Sequence, residues 1–171
     1  LTINKNQSIK EKSILVIGAG GASRGILPSL LKEQPKSIVI ANRTVEKAEG
    51  IAKEFSSKAL QTSKSSNLIA SSLSLEAMKD FEFDIVINAT SVSTNPSQNL
   101  NLDESVFRNT SLALDLYYSQ AFTPFMDLAD RAKVPIVIDG WGMLVEQAAE
   151  SFFLWTGFKP DTSELIAKHG E

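Results

Sequence analysis

A short apolar run, Ser13-Ile14-Leu15-Val16-Ile17, ends directly on Gly18-Ala19-Gly20-Gly21-Ala22-Ser23-Arg24-Gly25 and then passes into a helical pattern through Leu27, Leu30 and Leu31. No other feature constrains the fold as much. An uninterrupted aliphatic run of this length reads as a strand buried on both faces, as in a parallel sheet. Glycine at its end permits a tight turn, and a second glycine lets backbone approach a pyrophosphate closely. The helix that follows aims unpaired N–H groups and its positive dipole end at the same place. A lone G-x-G is weak evidence, but one set between a strand and a helix in the first such unit has the context that makes it a dinucleotide loop. The third position of the usual G-x-G-x-x-G is Ser23, with glycines at Gly21 and Gly25 instead, which moves the loop away from ordinary NAD dehydrogenases. A glycine-rich turn that binds nothing is the alternative.

Strand and helix patterns alternate along the rest of the chain. Ser37–Ala41 is a second strand, and Thr44 is placed to cap a helix carrying Ala48, Ile51, Ala52 and Phe55. Further strands are expected at Ile85–Ile87, Ser111–Leu114 and Pro135–Ile138, with a crossover helix from Pro124 to Ala132. A later helix is expected from about Leu144 to Trp155, and a last one opened by Asp161 with Glu164 in capping-box spacing. The serine-rich stretch from Ser56 to Ser74 is the least legible; one short strand around Leu68–Ala70 is expected there, and Ser74 is placed to cap a short helix through Ala77 and Met78. This alternation implies an α/β fold, Rossmann-like and doubly wound, with a mainly parallel sheet and helices on both faces. With no internal repeat or linker, residues 1–171 read as one domain.

The end of the second strand decides between dinucleotides. An NAD site places an acidic residue there for the ribose 2′-hydroxyl. This chain has Asn42-Arg43-Thr44. A carboxylate would repel a 2′-phosphate, whereas a guanidinium binds it bidentately. Arg43 and Lys47 lie four apart at a helix start, so both reach one side. Arg43 can also lie over an adenine ring. Ordinary solvated helix charges are the alternative; together with the glycine loop, these residues point to NADP.

Composition narrows the rest. A net charge of −3 argues against a general nucleic-acid or membrane-surface binder, and no apolar run is long enough to span a bilayer. Cysteine is absent, which excludes disulfides and thiolate metal ligands and fits a cytoplasmic enzyme. No metal site is expected. The first residue is Leu1 rather than Met, so chain upstream is expected to be missing.

The blocks Gly18–Gly25, Asn42-Arg43-Thr44, Asn88-Ala89-Thr90-Ser91, Asp115-Leu116-Tyr117-Tyr118 with Thr123-Pro124-Phe125, and Asp139-Gly140-Trp141-Gly142-Met143-Leu144-Val145-Glu146-Gln147-Ala148 occur in one order from about Ser13 to Asp161. In that order they resemble the C-terminal NADP-binding domain of the shikimate dehydrogenase family. The last block separates this family from other Rossmann reductases, including the glutamyl-tRNA reductases.

The resemblance implies roles position by position. Gly18, Ala19, Gly20, Gly21 and Ala22 would hold the pyrophosphate, and Asn42, Arg43, Thr44 and Lys47 the adenosine 2′-phosphate. Thr90 and Ser91 would border the nicotinamide ribose. Leu116 and Gly140 would present backbone carbonyls to the nicotinamide amide, and Tyr118 and Gln147 would reach the substrate. The reaction implied is reversible reduction of 3-dehydroshikimate to shikimate, in aromatic amino-acid biosynthesis. The family's Lys–Asp acid–base pair sits on a separate N-terminal substrate domain absent from these residues, so no catalytic residue is expected in this chain, and the chain alone is expected to be inactive. Quinate/shikimate dehydrogenase, or a stand-alone NADP-binding module without chemistry, are the rival readings.

Without the resemblance, packing aromatics are the alternative for Tyr117 and Tyr118, and Gln147 on a helix reads more often as a surface or capping residue. Asp115 and Asp139 each end a strand and are expected to cap or orient the next turn. Trp141 and Trp155 are expected in core or interface, and His169 in solvent. Exposed apolar surface is expected where the missing domain would dock.

Overall fold

The computed structural model describes residues 7–60, 67–72, 75–78, 80–94 and 100–168. Its centre is a six-stranded sheet: β1 (Ser13–Ile17), β2 (Ser37–Asn42), β3 (Asn67–Ser72), β4 (Ile85–Asn88), β5 (Leu112–Asp115) and β6 (Ile136–Ile138). The strands lie in the order β3-β2-β1-β4-β5-β6, and every pairing is parallel. The α/β class and the doubly wound parallel sheet expected from the alternating patterns are what the chain adopts.

Alternation of side chains along each strand builds two cores. Leu15, Ile17, Val39, Ala41, Val86 and Ala113 face one side, where they meet Phe125, Met126 and Ala129 of α4 (Pro124–Arg131). Ile14, Val16, Ile38, Ile40, Ile85, Ile87, Leu112 and Leu114 face the other. There they meet Leu27 and Leu30 of α1 (Gly21–Lys32) and Ala48, Ile51 and Phe55 of α2 (Val45–Leu60). Burial on both faces is why these strands are nearly all aliphatic. Each Val, Leu, Ile, Phe or Met among them contributes about 1.5–3 kcal/mol of burial. In α4, Thr123 caps the helix by accepting from the Met126 N–H, with Pro124 at the first helical position, where a missing N–H costs nothing.

A short α3 (Leu75–Met78) buries Met78 in the first core. The expected cap, Ser74, lies outside the described residues, as does His169. The serine-rich stretch divides: α2 runs on through Leu60, and β3 extends the expected Leu68–Ala70 strand at both ends.

Two helix starts differ from expectation. The helix expected from Leu144 begins at Trp141 (α5, Trp141–Thr156), because the Asp139 carboxylate accepts the Trp141 N–H and opens the turn three residues early. It stops at Gly157, whose φ of 74° suits glycine and whose N–H closes on Phe153. The last helix, α6, spans Ser163–Ala167. Asp161 does not cap it in the expected box; its carboxylate closes a turn by accepting the Ser163 N–H, while the Thr162 hydroxyl donates to Glu146 and ties α6 to α5.

No helix among the described residues is long and apolar enough to cross a membrane, and no cluster of metal-ligating side chains occurs among them.

Candidate functional site

From β1 the chain crosses to β2 over the face covered by α1 and α2, whereas α4 covers the opposite face beyond β4. Neighbouring β1 and β4 are therefore where the winding reverses. A crevice outside their carboxyl ends is the position where open α/β sheets take ligands. Most of the residues singled out in the sequence converge there.

Gly18 ends β1 with φ of 107°, a backbone conformation that favours glycine. A Cβ there would also lie 3.0 Å from the Ala89 carbonyl oxygen and 3.0 Å from the Thr90 methyl. The Gly18 N–H donates to the Ala41 carbonyl at 2.7 Å, which sets Asn42 and Arg43 beside the glycine loop. Its own carbonyl accepts from the Ser23 hydroxyl at 2.7 Å, and Ser23 is fully buried. A small hydroxyl at the third position thus latches the loop from inside. Sequence reasoning noted the departure at Ser23 but missed this role.

Gly20 and Gly21 face open space. Gly20 precedes α1 without any side-chain cap, and the first turn of α1 holds no acidic residue. The unpaired N–H groups at that helix start and its positive end therefore point outward, free of a competing internal anion.

Arg43, Thr44 and Lys47 are exposed at the end of β2. The Asn42 amide donates to the Thr44 carbonyl at 2.8 Å and shapes the turn that presents them. Among the described residues neither Arg43 nor Lys47 has a carboxylate partner, whereas Arg24 is paired with Glu54 across α1 and α2.

At the end of β4, Asn88 is fully buried; its amide donates to Asp115 and to Ser93, each at 3.1 Å. Its carbonyl oxygen accepts from the Thr90 hydroxyl at 2.7 Å and the Thr90 N–H at 3.2 Å. Ser91, next along, is exposed. Asp115, also fully buried, accepts further bonds from Ser93 (2.5 Å), Thr123 (2.7 Å) and the Tyr117 N–H (3.1 Å). Asp115 and Asp139 orient the turns after their strands, as expected; Asp139 accepts the Ser119 and Trp141 N–H groups. The weight carried by Asn88 was not read from the sequence, although a polar residue closing an Ile-Val-Ile strand was its signal.

Leu116 and Gly140 meet backbone to backbone: the Gly140 N–H donates to the Tyr117 carbonyl at 3.2 Å, and a Cβ at 140 would stand 2.1 Å from the Leu116 carbonyl oxygen. Tyr118 packs on Trp141 with ring centroids 5.0 Å apart. Tyr118, Leu116 and Gln147 line one cavity of about 1530 Å³ between α1 and α5. Its lining takes in Gly25, at the far end of the glycine block, but none of Gly18–Ala22 and not Arg43. Trp155 is in neither core: it is 83% exposed, with Phe152, Phe153, Leu154 and Phe158 exposed beside it. Aliphatic and aromatic residues dominate this end of α5 on every side, so no orientation of the helix buries them all within these residues.

Residues 1–117 match the model of the family described as shikimate/quinate 5-dehydrogenase, and residues 140–167 that of the shikimate 5′-dehydrogenase C-terminal domain. A shikimate dehydrogenase (NADP(+)) from Dechloromonas aromatica is 43% identical over 98% of this chain and 58% of its own length. The crystal structure of an Ael1 enzyme from Pseudomonas putida superposes with a TM-score of 0.80 at 36% identity, covering 99% of this chain and 59% of the other. A shikimate dehydrogenase solved in complex with NADP+ gives a TM-score of 0.73 at 32% identity, over 96% of this chain and 55% of that one. The chain thus spans a little over half the length of the relatives it matches. By the match over its first 117 residues and its identity to these proteins, the chain belongs to the shikimate/quinate 5-dehydrogenase family.

Proposed function

We propose that residues 1–171 form the NADP-binding domain of a longer shikimate dehydrogenase that interconverts 3-dehydroshikimate and shikimate. The observation that carries this reading is the pair of exposed cations, Arg43 and Lys47, with no carboxylate partner among the described residues, beside a glycine loop whose helix start is uncapped. An exposed guanidinium with no carboxylate partner among the described residues is placed to take an added phosphoryl group, and β2 closes on Asn42 where an acidic residue would accept a bare ribose hydroxyl. The residues present fit the dinucleotide. Gly18, Ala19, Gly20, Gly21 and Ala22 would take the pyrophosphate; Asn42, Arg43, Thr44 and Lys47 the 2′-phosphate. Thr90 and Ser91 would border the nicotinamide ribose, and Leu116 and Gly140 would offer backbone to its amide. The bound nicotinamide would supply the hydride.

Tyr118 and Gln147 would orient the substrate from this side of the cleft. The acid–base pair belongs, in this reading, to a domain outside these residues, and the chain alone does not turn over substrate. The exposed apolar end of α5 favours such a fragment over a self-sufficient nucleotide-binding module, because apolar surface of this extent is normally covered. A titration of the chain with NADPH and NADH tests the cofactor reading: NADPH is expected to bind more tightly, and equal affinities sink it. Shikimate oxidation by the chain alone would overturn the assignment of the acid–base pair elsewhere.

A further inference from the structure

A buried carboxylate that no catalytic role claims stands at the centre of the crevice loops. Asp115 spends both oxygens: one accepts Asn88 and the Tyr117 N–H, the other Ser93 and Thr123. Asn88 spends its amide as fully, donating to Ser93 and Asp115 and accepting twice from Thr90. Aspartate at 88 would set a second carboxylate against Asp115, so the pair is chemically specific. The segments it holds are 90–93 after β4 and 117–123 after β5, both at the carboxyl ends of their strands. Thr90 in turn touches Gly18, since a Cβ on that glycine would lie 3.0 Å from the Thr90 methyl. One buried pair thereby fixes the spacing of the loops that face the nicotinamide half, and it has no bond to the Asn42–Lys47 turn. Groups buried in such a network are held rigidly, because leaving any of them unpaired is costly.

We propose that Asp115 and Asn88 form a positioning pair that sets the loops after β4 and β5 for the nicotinamide half of the dinucleotide, without contributing to the adenosine half. This rests on the NADP reading above.

The test uses two probes on the 171-residue chain: NADPH, which needs both halves of the site, and adenosine 2′,5′-bisphosphate, which needs the Arg43 end and one phosphate position of the glycine loop but carries no nicotinamide half. Asp115→Asn is expected to weaken NADPH at least tenfold while leaving the bisphosphate within twofold of wild type. Ser93→Ala, a milder change to the same network, is expected to shift the ratio of the two affinities in the same direction, and it carries the test should Asp115→Asn not fold. Asp84→Asn is the control. Its carboxylate bonds Lys12 and the Ser13 N–H at the opposite end of the sheet, so it should lower thermal stability with the ratio unchanged. An unchanged ratio in the two network variants overturns the proposal, as does an equal shift in the control, which would make the effect one of general stability. Wild-type chain that takes up neither probe fails before any substitution is made; that result removes the cofactor reading, and the positioning proposal with it.

Discussion

The carbonyl oxygen of Leu116 occupies the space in which a side chain at Gly140 would begin, 2.1 Å from an ideal Cβ. The carbonyl carbon follows at 2.7 Å, and both are backbone atoms that cannot rotate aside. Gly140→Ala must therefore push the ends of β5 and β6 apart. Overpacking of this kind costs about 1–3 kcal/mol. A lowered urea midpoint is expected, and a midpoint equal to wild type would show that the two strand ends separate freely.

Arg43→Ala is expected to weaken NADPH binding by about 1.5–3 kcal/mol, the range for a charge-assisted hydrogen bond, and to leave NADH untouched. Because Arg43 is exposed and pairs with no described carboxylate, folding stability should stay within about 0.5 kcal/mol of wild type. Isothermal titration with both cofactors checks this. Equal losses would remove Arg43 as a phosphate ligand.

Two glycines in one loop should fail in opposite ways. Gly18→Ala forces a side chain into a φ of 107° and against the Ala89 carbonyl, so it should lower stability by at least about 1–2 kcal/mol. Gly20→Val meets open space and should cost no more than about 1 kcal/mol through the helix start. It should nevertheless abolish binding of both dinucleotides, because the isopropyl group would occupy the pyrophosphate position. Thermal melts paired with NADPH titrations separate the two, and retained affinity in Gly20→Val would move the phosphates elsewhere.

Acid stability should depend on Asp84. Partial burial pushes its pKa up, but the Ser13 N–H, the Lys12 ammonium and the charge of Lys36 together hold it below the ordinary aspartate value. A depressed folded pKa gives stability that is present above the unfolded pKa, about 3.9, and lost as pH falls through the folded value. Asp84→Asn should thus be less stable than wild type at pH 7, with the gap closing below about pH 4. A gap that stays constant across that range would show that the ion pair contributes nothing through its charge.

β1, β2, β4 and β5 were legible because each is a short aliphatic run buried on both faces, and Ser13–Ile17 can be read on sight. The starts of α5 and α6 were not, because they are set by side chains acting across turns: Asp139 opens α5 early, and Thr162 spends its hydroxyl on Glu146 rather than on its own helix. Glycines and Arg43 stand out in a sequence because their chemistry is local. Asn88 and Ser23 do not, since their partners come from elsewhere in the fold: Asn88 acts through Asp115, 27 residues away, and Ser23 through a carbonyl five residues back. Trp155 was expected in core or interface; it lies outside both cores, exposed at the end of α5.

The two tryptophans live in unlike surroundings. Trp141 packs on Tyr118 and donates its indole N–H to the Leu165 carbonyl, while Trp155 stands in water at the far end of the same helix. Their emission should therefore separate, a bluer component from the first and a redder, iodide-quenchable one from the second. A surface laid over the end of α5 would shift the redder component and leave the bluer one in place, so the emission spectrum alone reports whether that end is covered.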